Sequence, residues 1–106
     1  TYNVYYNIIG MYQIFKTENY LKWFKKLRDN TAKYAIILRI ERLKNGNFGD
    51  SKSVGEKVFE LRIDTGKGYR VYFTNKDKEI IILLVGGNKS TQETDIQKAK
   101  ELAKEV

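Results

Sequence analysis

Apolar residues in the first half of the chain recur every three or four positions, which is the spacing of one buried helical face. Two such stripes follow each other: Tyr20, Phe24 and Leu27, then Ala32, Ile36, Ile40 and Leu43. The hydroxyls of Thr17 and Thr31 can cap the two helices, because each can accept a hydrogen bond from a free backbone N–H in the first turn. Gly46 is placed to end the second helix. The pattern therefore predicts a helical hairpin, with a short strand before it at residues 12–15.

The period of the apolar residues then changes to two. Residues 47–56 are polar and turn-rich and are predicted to form a loop. Apolar and polar residues alternate through residues 59–64 and again through 69–74, whereas residues 79–85 are almost entirely apolar. Short turns separate these three runs, so they are expected to pair as antiparallel neighbours. The apolar run predicts a strand inside the sheet with both faces covered.

The end of the chain shows a third helical pattern. Ser90, with Glu93 three residues later, fits a capping box, and an apolar stripe follows it. The members of the stripe are Ile96, Ala99, Ala103 and Val106. The predicted fold is α+β, in the order β-α-α-β-β-β-α, with an antiparallel sheet packed on helices. Residues 11–106 are expected to form one domain, and the uncharged residues 1–10 are either a remnant ahead of a true start at Met11 or an additional edge strand.

Charge and composition narrow the function. Lys and Arg number 20 against 13 Asp and Glu, a formal charge of +7, which favours a polyanionic partner such as nucleic acid, although surplus lysine also serves solubility alone. With no histidine and no cysteine, the chain lacks the commonest general base, thiolate ligands and a cysteine nucleophile. We therefore expect no metal and no cofactor. No membrane-length apolar run and no signal peptide are evident, so the sequence predicts a cytoplasmic protein without a membrane partner.

Polar side chains on two neighbouring predicted strands form the first candidate site. If the alternate apolar residues face the helices, Arg62, Arg70 and Tyr72 project from the opposite face. Arginine binds phosphate oxygens in bidentate fashion, and an aromatic ring can stack on an unpaired base. The alternative is that the two arginines pair with Glu60 and Asp64 on a solvated face.

The connection between the last strand and the last helix, residues 86–91, is the second candidate. It brings Lys89 to a helix N-terminus, where free N–H groups and the helix dipole favour an anion. The alternative is an ordinary capped connection. A nucleotide-binding P-loop is excluded because that motif has glycine directly before its lysine, where this chain has Asn88.

Several linked segments together resemble a known family. They are residues 45–50 (NGNFGD), 59–64 (FELRID), 66–73 (GKGYRVYF) and 84–92 (LVGGNKSTQ). In this order they resemble the "addiction module killer protein" branch, also labelled HigB-like, of the RelE/ParE toxin superfamily. The likeness extends from about Met11 to Ala103.

The resemblance implies a microbial-RNase-like sheet flanked by helices and a toxin of a type II toxin–antitoxin system. The implied partner is a small antitoxin, typically with a helix-turn-helix domain, which covers the basic surface and with the toxin represses their operator DNA. In RNase members of the superfamily, mRNA is cut in the ribosomal A site when a ribose 2′-OH attacks the adjacent phosphate. That reaction needs a proton acceptor, cations for the phosphorane charge and a proton donor for the leaving oxygen.

Carried over by position, the resemblance implies catalytic roles for Arg70, Arg62 and Lys89, which would bind and stabilise the phosphate. Arg70 matches the arginine of the superfamily's Gly-Tyr-Arg strand, and Lys89 matches a basic position after the last strand. The expected RNA-binding residues are Tyr72, Lys67 and Ser90. Two other functions stay open at this point: a non-enzymatic, ParE-like poison of DNA gyrase, and an inactive domain that binds the antitoxin as a corepressor.

Overall fold

The structure, a computed structural model, describes residues 11–106. Both expectations for residues 1–10 therefore concern a segment outside the described residues. From Met11 onward the chain forms a strand, two helices, four further strands and a last helix. None of the helices described is both long enough and apolar enough to cross a membrane.

The first two helices form the predicted hairpin. Helix α1 spans Glu18–Lys26 and helix α2 spans Asn30–Lys44. Thr17 caps α1 through its side chain, as predicted. The prediction that Thr31 caps α2 is wrong, because Asp29 takes that position and its carboxylate accepts a backbone N–H at 3.0 Å. A carboxylate satisfies the free N–H and also interacts favourably with the positive end of the helix dipole.

Five strands form one mixed sheet. Their bounds are β1 Gln13–Lys16, β2 Ser51–Gly55, β3 Val58–Ile63, β4 Tyr69–Lys76 and β5 Ile80–Asn88. The spatial order is β1-β5-β4-β3-β2, so the apolar strand β5 lies inside the sheet, as predicted. The prediction of a purely antiparallel sheet is wrong for one pair, since β1 runs parallel to β5. Three successive antiparallel pairings make β5 run opposite to β2, whereas β1 reaches the free side of β5 in the parallel direction.

The strand β2 lies where the sequence predicted a loop. It pairs antiparallel with β3 at the edge of the sheet, with an irregularity between Ser53 and Gly55. A short edge strand buries little surface and therefore needs few apolar residues. Val54 is the only apolar residue of β2, and its contact with the core beneath is the strand's single hydrophobic signal.

Apolar cores lie on both faces of the sheet. The hairpin of α1 and α2 covers the first core, whose buried sheet residues include Leu61, Ile63, Tyr69, Val71 and Phe73. These are alternate positions that the period of two predicted to face the helices. The last helix, α3 (Gln92–Ala103), covers the opposite face. The second core consists of Val58, Tyr72, Leu84, Val85 and Ala99.

A 3₁₀ turn, Lys89–Thr91, joins β5 to α3. Its cap is Asn88, whose side chain accepts the backbone N–H of Ser90 at 2.9 Å. The Thr91 hydroxyl in return accepts the N–H of Asn88 at 3.2 Å. The predicted capping box of Ser90 with Glu93 is therefore wrong by two residues, because helical geometry already begins at the 3₁₀ turn.

Two glycines of β5 allow helices to approach the sheet closely from both sides. A Cβ on Gly86 would lie 2.3 Å from the ring of Trp23, on the side of α1. A Cβ on Gly87 would lie 1.7 Å from Oδ2 of Asp95, on the side of α3. The sequence interpretation ended the strand at this pair, but both residues lie within β5. Trp23 and Asp95 occupy the space that a side chain at either position would need.

We expect Gly86→Ala to lower the free energy of unfolding by about 1–3 kcal/mol, because the added methyl overlaps the Trp23 ring in a packed core. Urea unfolding of the purified protein measures the change. The control is a double-mutant cycle with Trp23→Ala, in which the methyl should become nearly neutral once the ring is gone. An equal loss in both backgrounds would contradict this explanation.

Candidate nucleic-acid interface

Three cations converge at one end of the sheet. Arg62 on β3 lies directly opposite Arg70 on β4 in the antiparallel register, and Lys89 follows β5. All three line one depression of about 210 Å³, here called the basic depression. Its lining residues are Asp50, Arg62, Asp64, Gly68, Arg70 and Lys89. The structure thus brings together the three residues that the sequence resemblance marked as catalytic.

Two residues fix Arg62: Asp50 contacts its side chain and Arg39 contacts its backbone. Its Nη2 lies 3.1 Å from Oδ1 of Asp50, which directly precedes β2. Arg39 of α2 donates to the backbone carbonyl of Arg62 and, at 3.4 Å each, to the carbonyls of Phe48 and Asp50. Burial lowers the pKa of Arg39, and the charge of Asp50 acts in the opposite direction. Arg39 therefore fixes the segment that carries the partner of Arg62.

Arg70 is held by a buried carboxylate. Its Nε lies 3.6 Å from Oε2 of Glu60, which is within ion-pair distance but too long for a hydrogen bond. The Glu60 side chain is 0% exposed and the Arg70 side chain is 11% exposed. The same carboxylate oxygen accepts hydrogen bonds from the Tyr72 hydroxyl at 3.1 Å and from Nε2 of Gln92 at 2.7 Å. We call these four residues the Glu60 cluster.

The Glu60 cluster joins three elements of the fold. Burying a carboxylate is unfavourable unless it is paired and hydrogen-bonded. Glu60 itself lies on β3, and its partners come from β4, through Arg70 and Tyr72, and from α3, through Gln92. The alternative prediction of surface pairing is correct for Arg70 with Glu60, but the face is covered by α3 instead of being solvated. Arg62 pairs with Asp50, and Asp64, the other carboxylate of that alternative, forms no ion pair within residues 11–106.

Tyr72 lies under α3 and not at the surface. Its ring is 0% exposed and packs in the second core. Stacking on an unpaired base needs an exposed ring face, so the structure corrects the prediction that Tyr72 binds RNA in this way. Burial raises the pKa of the Tyr72 hydroxyl above its ordinary value, and the neighbouring Glu60 raises it further.

The predicted RNA-binding residues Lys67 and Ser90 line a second depression of about 500 Å³. Lys89 lines this depression as well as the basic depression, so the two adjoin. The Ser90 hydroxyl donates to Oδ1 of Asn88 at 2.6 Å and is therefore engaged in the cap. Lys67 is exposed and forms no ion pair with any residue from 11 to 106. The cationic surface thus extends beyond Arg62, Arg70 and Lys89 of the basic depression to Lys67.

The basic depression can bind an anion and can accept a proton. Of its ionisable side chains, Asp50 and Asp64 are the two carboxylates and therefore the candidate proton acceptors. Asp50 is paired with Arg62, whereas Asp64 is exposed and has no ion-pair partner in the described part of the chain. Across residues 11–106, no group of three or more acidic side chains is placed to hold a metal ion.

Sequence reasoning missed the supporting residues Asp50, Arg39 and Gln92. Each acts through a partner that is distant in sequence, and no local pattern marks such a pairing. One signal was available for the burial of Glu60: the apolar stripe of the last helix had to cover a sheet face, and the face carrying Glu60 was the one left open by the hairpin.

The fold is that of a RelE-like α+β protein. The Escherichia coli toxin RelE, in the free state of an arginine-to-alanine double mutant, matches with a TM-score of 0.65 and 18% identity, over 86% of this chain and 97% of that one. A family model, the phage-derived Gp49-like proteins (DUF891), matches residues 22–106. A Haemophilus influenzae (strain Rd) protein described as uncharacterized is 53% identical over 94 residues, 89% of this chain and 95% of that protein.

The family model covers most of the chain, so the chain belongs to the Gp49-like family. The structural match confirms the predicted fold class. Membership of the HigB-like branch stays a prediction.

We expect Glu60→Gln to lower the free energy of unfolding by about 3 kcal/mol, because it leaves the largely buried Arg70 without a counter-charge. Denaturant unfolding measures this loss. Asp50→Asn is the matched control, since it removes a carboxylate from the exposed pair with Arg62 and should cost about 0.5 kcal/mol. Equal small changes in both variants would show that the Glu60 pair contributes no more than a surface ion pair.

The buried tyrosines predict a loss of stability in alkali. Burial raises the pKa of Tyr72 and of Tyr20, so both stay neutral in the native state while the unfolded chain ionises near pH 10. Their contribution is complete below about pH 10 and decreases above it, by up to about 1.4 kcal/mol per pH unit for each tyrosine. Tyr72→Phe should flatten this decline between pH 9 and 11, whereas Tyr34→Phe, at an exposed ring, should not. Identical pH profiles for the wild type and Tyr72→Phe would refute the assignment.

Proposed function

We propose that this protein is the toxin of a type II toxin–antitoxin system and that it cleaves mRNA in a ribosome-dependent reaction. The observation that carries the proposal is the convergence of Arg62, Arg70 and Lys89 on one depression beside a proton acceptor. The RelE-like fold and the Gp49-like family support the toxin class.

In the proposed reaction a ribose 2′-OH attacks the adjacent phosphorus and the bond to the 5′ oxygen breaks, leaving a 2′,3′-cyclic phosphate and a 5′-OH end. Negative charge increases on the phosphoryl oxygens as the new bond forms, and fixed cations stabilise it. Arg62 and Arg70 suit this role because their carboxylate partners hold them before the substrate arrives. Such preorganisation avoids the free-energy cost of orienting the charges during the reaction.

The two proton transfers are assigned to the remaining ionisable groups of the depression. Asp64 takes the proton of the 2′-OH, since it is the carboxylate there that no described cation occupies. Lys89 gives a proton to the leaving 5′ oxygen, because it is exposed and forms no ion pair within residues 11–106. Arginine is a poorer donor, because the delocalised guanidinium holds its proton more tightly than an ammonium does.

The proposal includes a partner and a location. A small antitoxin, typically with a helix-turn-helix domain, would neutralise the toxin by covering the basic depression, and the complex would repress its operator DNA. The chain's formal charge of +7 favours acidic antitoxin segments as well as RNA. The ribosome and mRNA are the targets, so the site of action would be the cytoplasm.

Genome-wide mapping of transcript 5′ ends after induction in a bacterium tests the proposal. Wild type is expected to create new in-frame ends inside translated messages. Lys89→Ala and Asp64→Asn are each expected to reduce these ends about 100-fold, as loss of a charge-stabilising or proton-transferring group does. Arg70→Ala is a poorer probe because it strands the buried Glu60 and threatens the fold.

The matched controls change the same charges elsewhere. Lys98→Ala on the exposed surface of α3 and Asp77→Asn in the turn between β4 and β5 should leave cleavage intact. Growth arrest with whole transcripts would overturn the endonuclease, and an accompanying DNA-damage response would identify a gyrase poison instead. No effect on growth, with antitoxin binding retained, would identify an inactive corepressor.

A further inference from the structure

A third depression, of about 500 Å³, lies on the far side of the turn between β3 and β4. Lys26 and Arg28, from the end of α1 and its link to α2, line it together with Lys67. Lys67 also lines the second depression, and Lys89 joins the second to the basic depression. Three concavities therefore follow one another and share a lysine at each junction.

The turn between β3 and β4 fits between the two flanking connections. A Cβ on Gly66 would lie 3.1 Å from Oδ2 of Asp29, in the link between α1 and α2. A Cβ on Gly68 would lie 3.7 Å from Cβ of Lys89, after β5. Lys67 stands between these two glycines, whose φ angles of +56° and +75° favour residues without a side chain. The turn therefore has no side chain on either side of Lys67, and Lys67 is the cation at its centre.

The cations along this line are available for a ligand. Lys26, Arg28, Lys67 and Lys89 are all exposed, and none forms an ion pair with a residue from 11 to 106. The carboxylate of the third depression, Asp29, is engaged as the cap of α2. Lys100, by contrast, at the other end of the sheet, is paired with Glu56 at 3.5 Å.

We propose that single-stranded RNA follows this line, from the basic depression past Lys89 and Lys67 to Lys26 and Arg28. This deepens the proposed function and rests on it, since the strand is the mRNA on one side of the cleaved phosphate. The backbone of a single strand carries one charge per nucleotide, and successive exposed cations bind successive phosphates without reading the bases. Lys26 and Arg28 thereby become RNA-binding residues outside the catalytic depression.

Equilibrium binding of an unstructured, fluorescently labelled 12-nucleotide RNA tests the track, with 2′-O-methyl groups to prevent cleavage. The double variant Lys26→Ala/Arg28→Ala should bind about tenfold more weakly at low salt, with a slope of log K against log[salt] shallower by about 1.4. The matched double variant Lys98→Ala/Lys104→Ala should match wild type in both. Shortening the RNA to six nucleotides should weaken wild type more than the track variant.

The outcomes separate the track from the endonuclease. If Lys89→Ala weakens binding while Lys26→Ala/Arg28→Ala binds like the matched control, the track is overturned and the basic depression stands. Failure of wild type to bind the RNA at low salt would also overturn the track, whatever the transcript mapping shows. Track-dependent binding by a protein that leaves transcripts whole would support the track and refute the endonuclease.

Discussion

The buried carboxylate of Glu60 is the constraint on which the site depends. An ionised group with 0% exposure is tolerated only with compensating partners, and these come from β4, through Arg70 and Tyr72, and from α3, through Gln92. The partners reach it only when the strands are in register and α3 is docked. The position of Arg70 therefore depends on the complete fold through this one charge. In this way a buried ion pair can favour a single conformation without adding much stability.

The compensation is incomplete. Oε1 of Glu60 and Nε of Arg70 have no hydrogen-bond partner among the described residues, and the pair is held at 3.6 Å. An apolar pair of similar volume would often be at least as stable at such a position. Stability alone therefore does not account for this arrangement, whereas the proposed role of Arg70 does, since that role requires a guanidinium fixed in the basic depression.

The limits of prediction follow from the range of each interaction. The period of two placed Leu61 and Val71 under the helices, because alternation along a strand is a local property. It also placed Tyr72 on the opposite face, but only the docking of α3 makes that face an interior. The polar edge strand β2 had no periodic signal, and Asp50, which directly precedes it, was missed with it. Asp29 and Asn88 displaced the predicted caps because neighbouring candidates differ by about 1 kcal/mol or less.

The cations of the interface fall into two kinds with different physical consequences. Arg62 and Arg70 are each fixed by a carboxylate, so their positive potential is partly offset while their geometry is well defined. Lys89 and Lys67 are exposed and have no ion-pair partner in the described chain, so their charge is fully available while their side chains remain free to move. Transition-state stabilisation needs accurate placement, whereas attraction of a polyanion needs mainly net charge. If the proposed function holds, the arginines would orient the phosphate and the lysines would supply most of the RNA affinity.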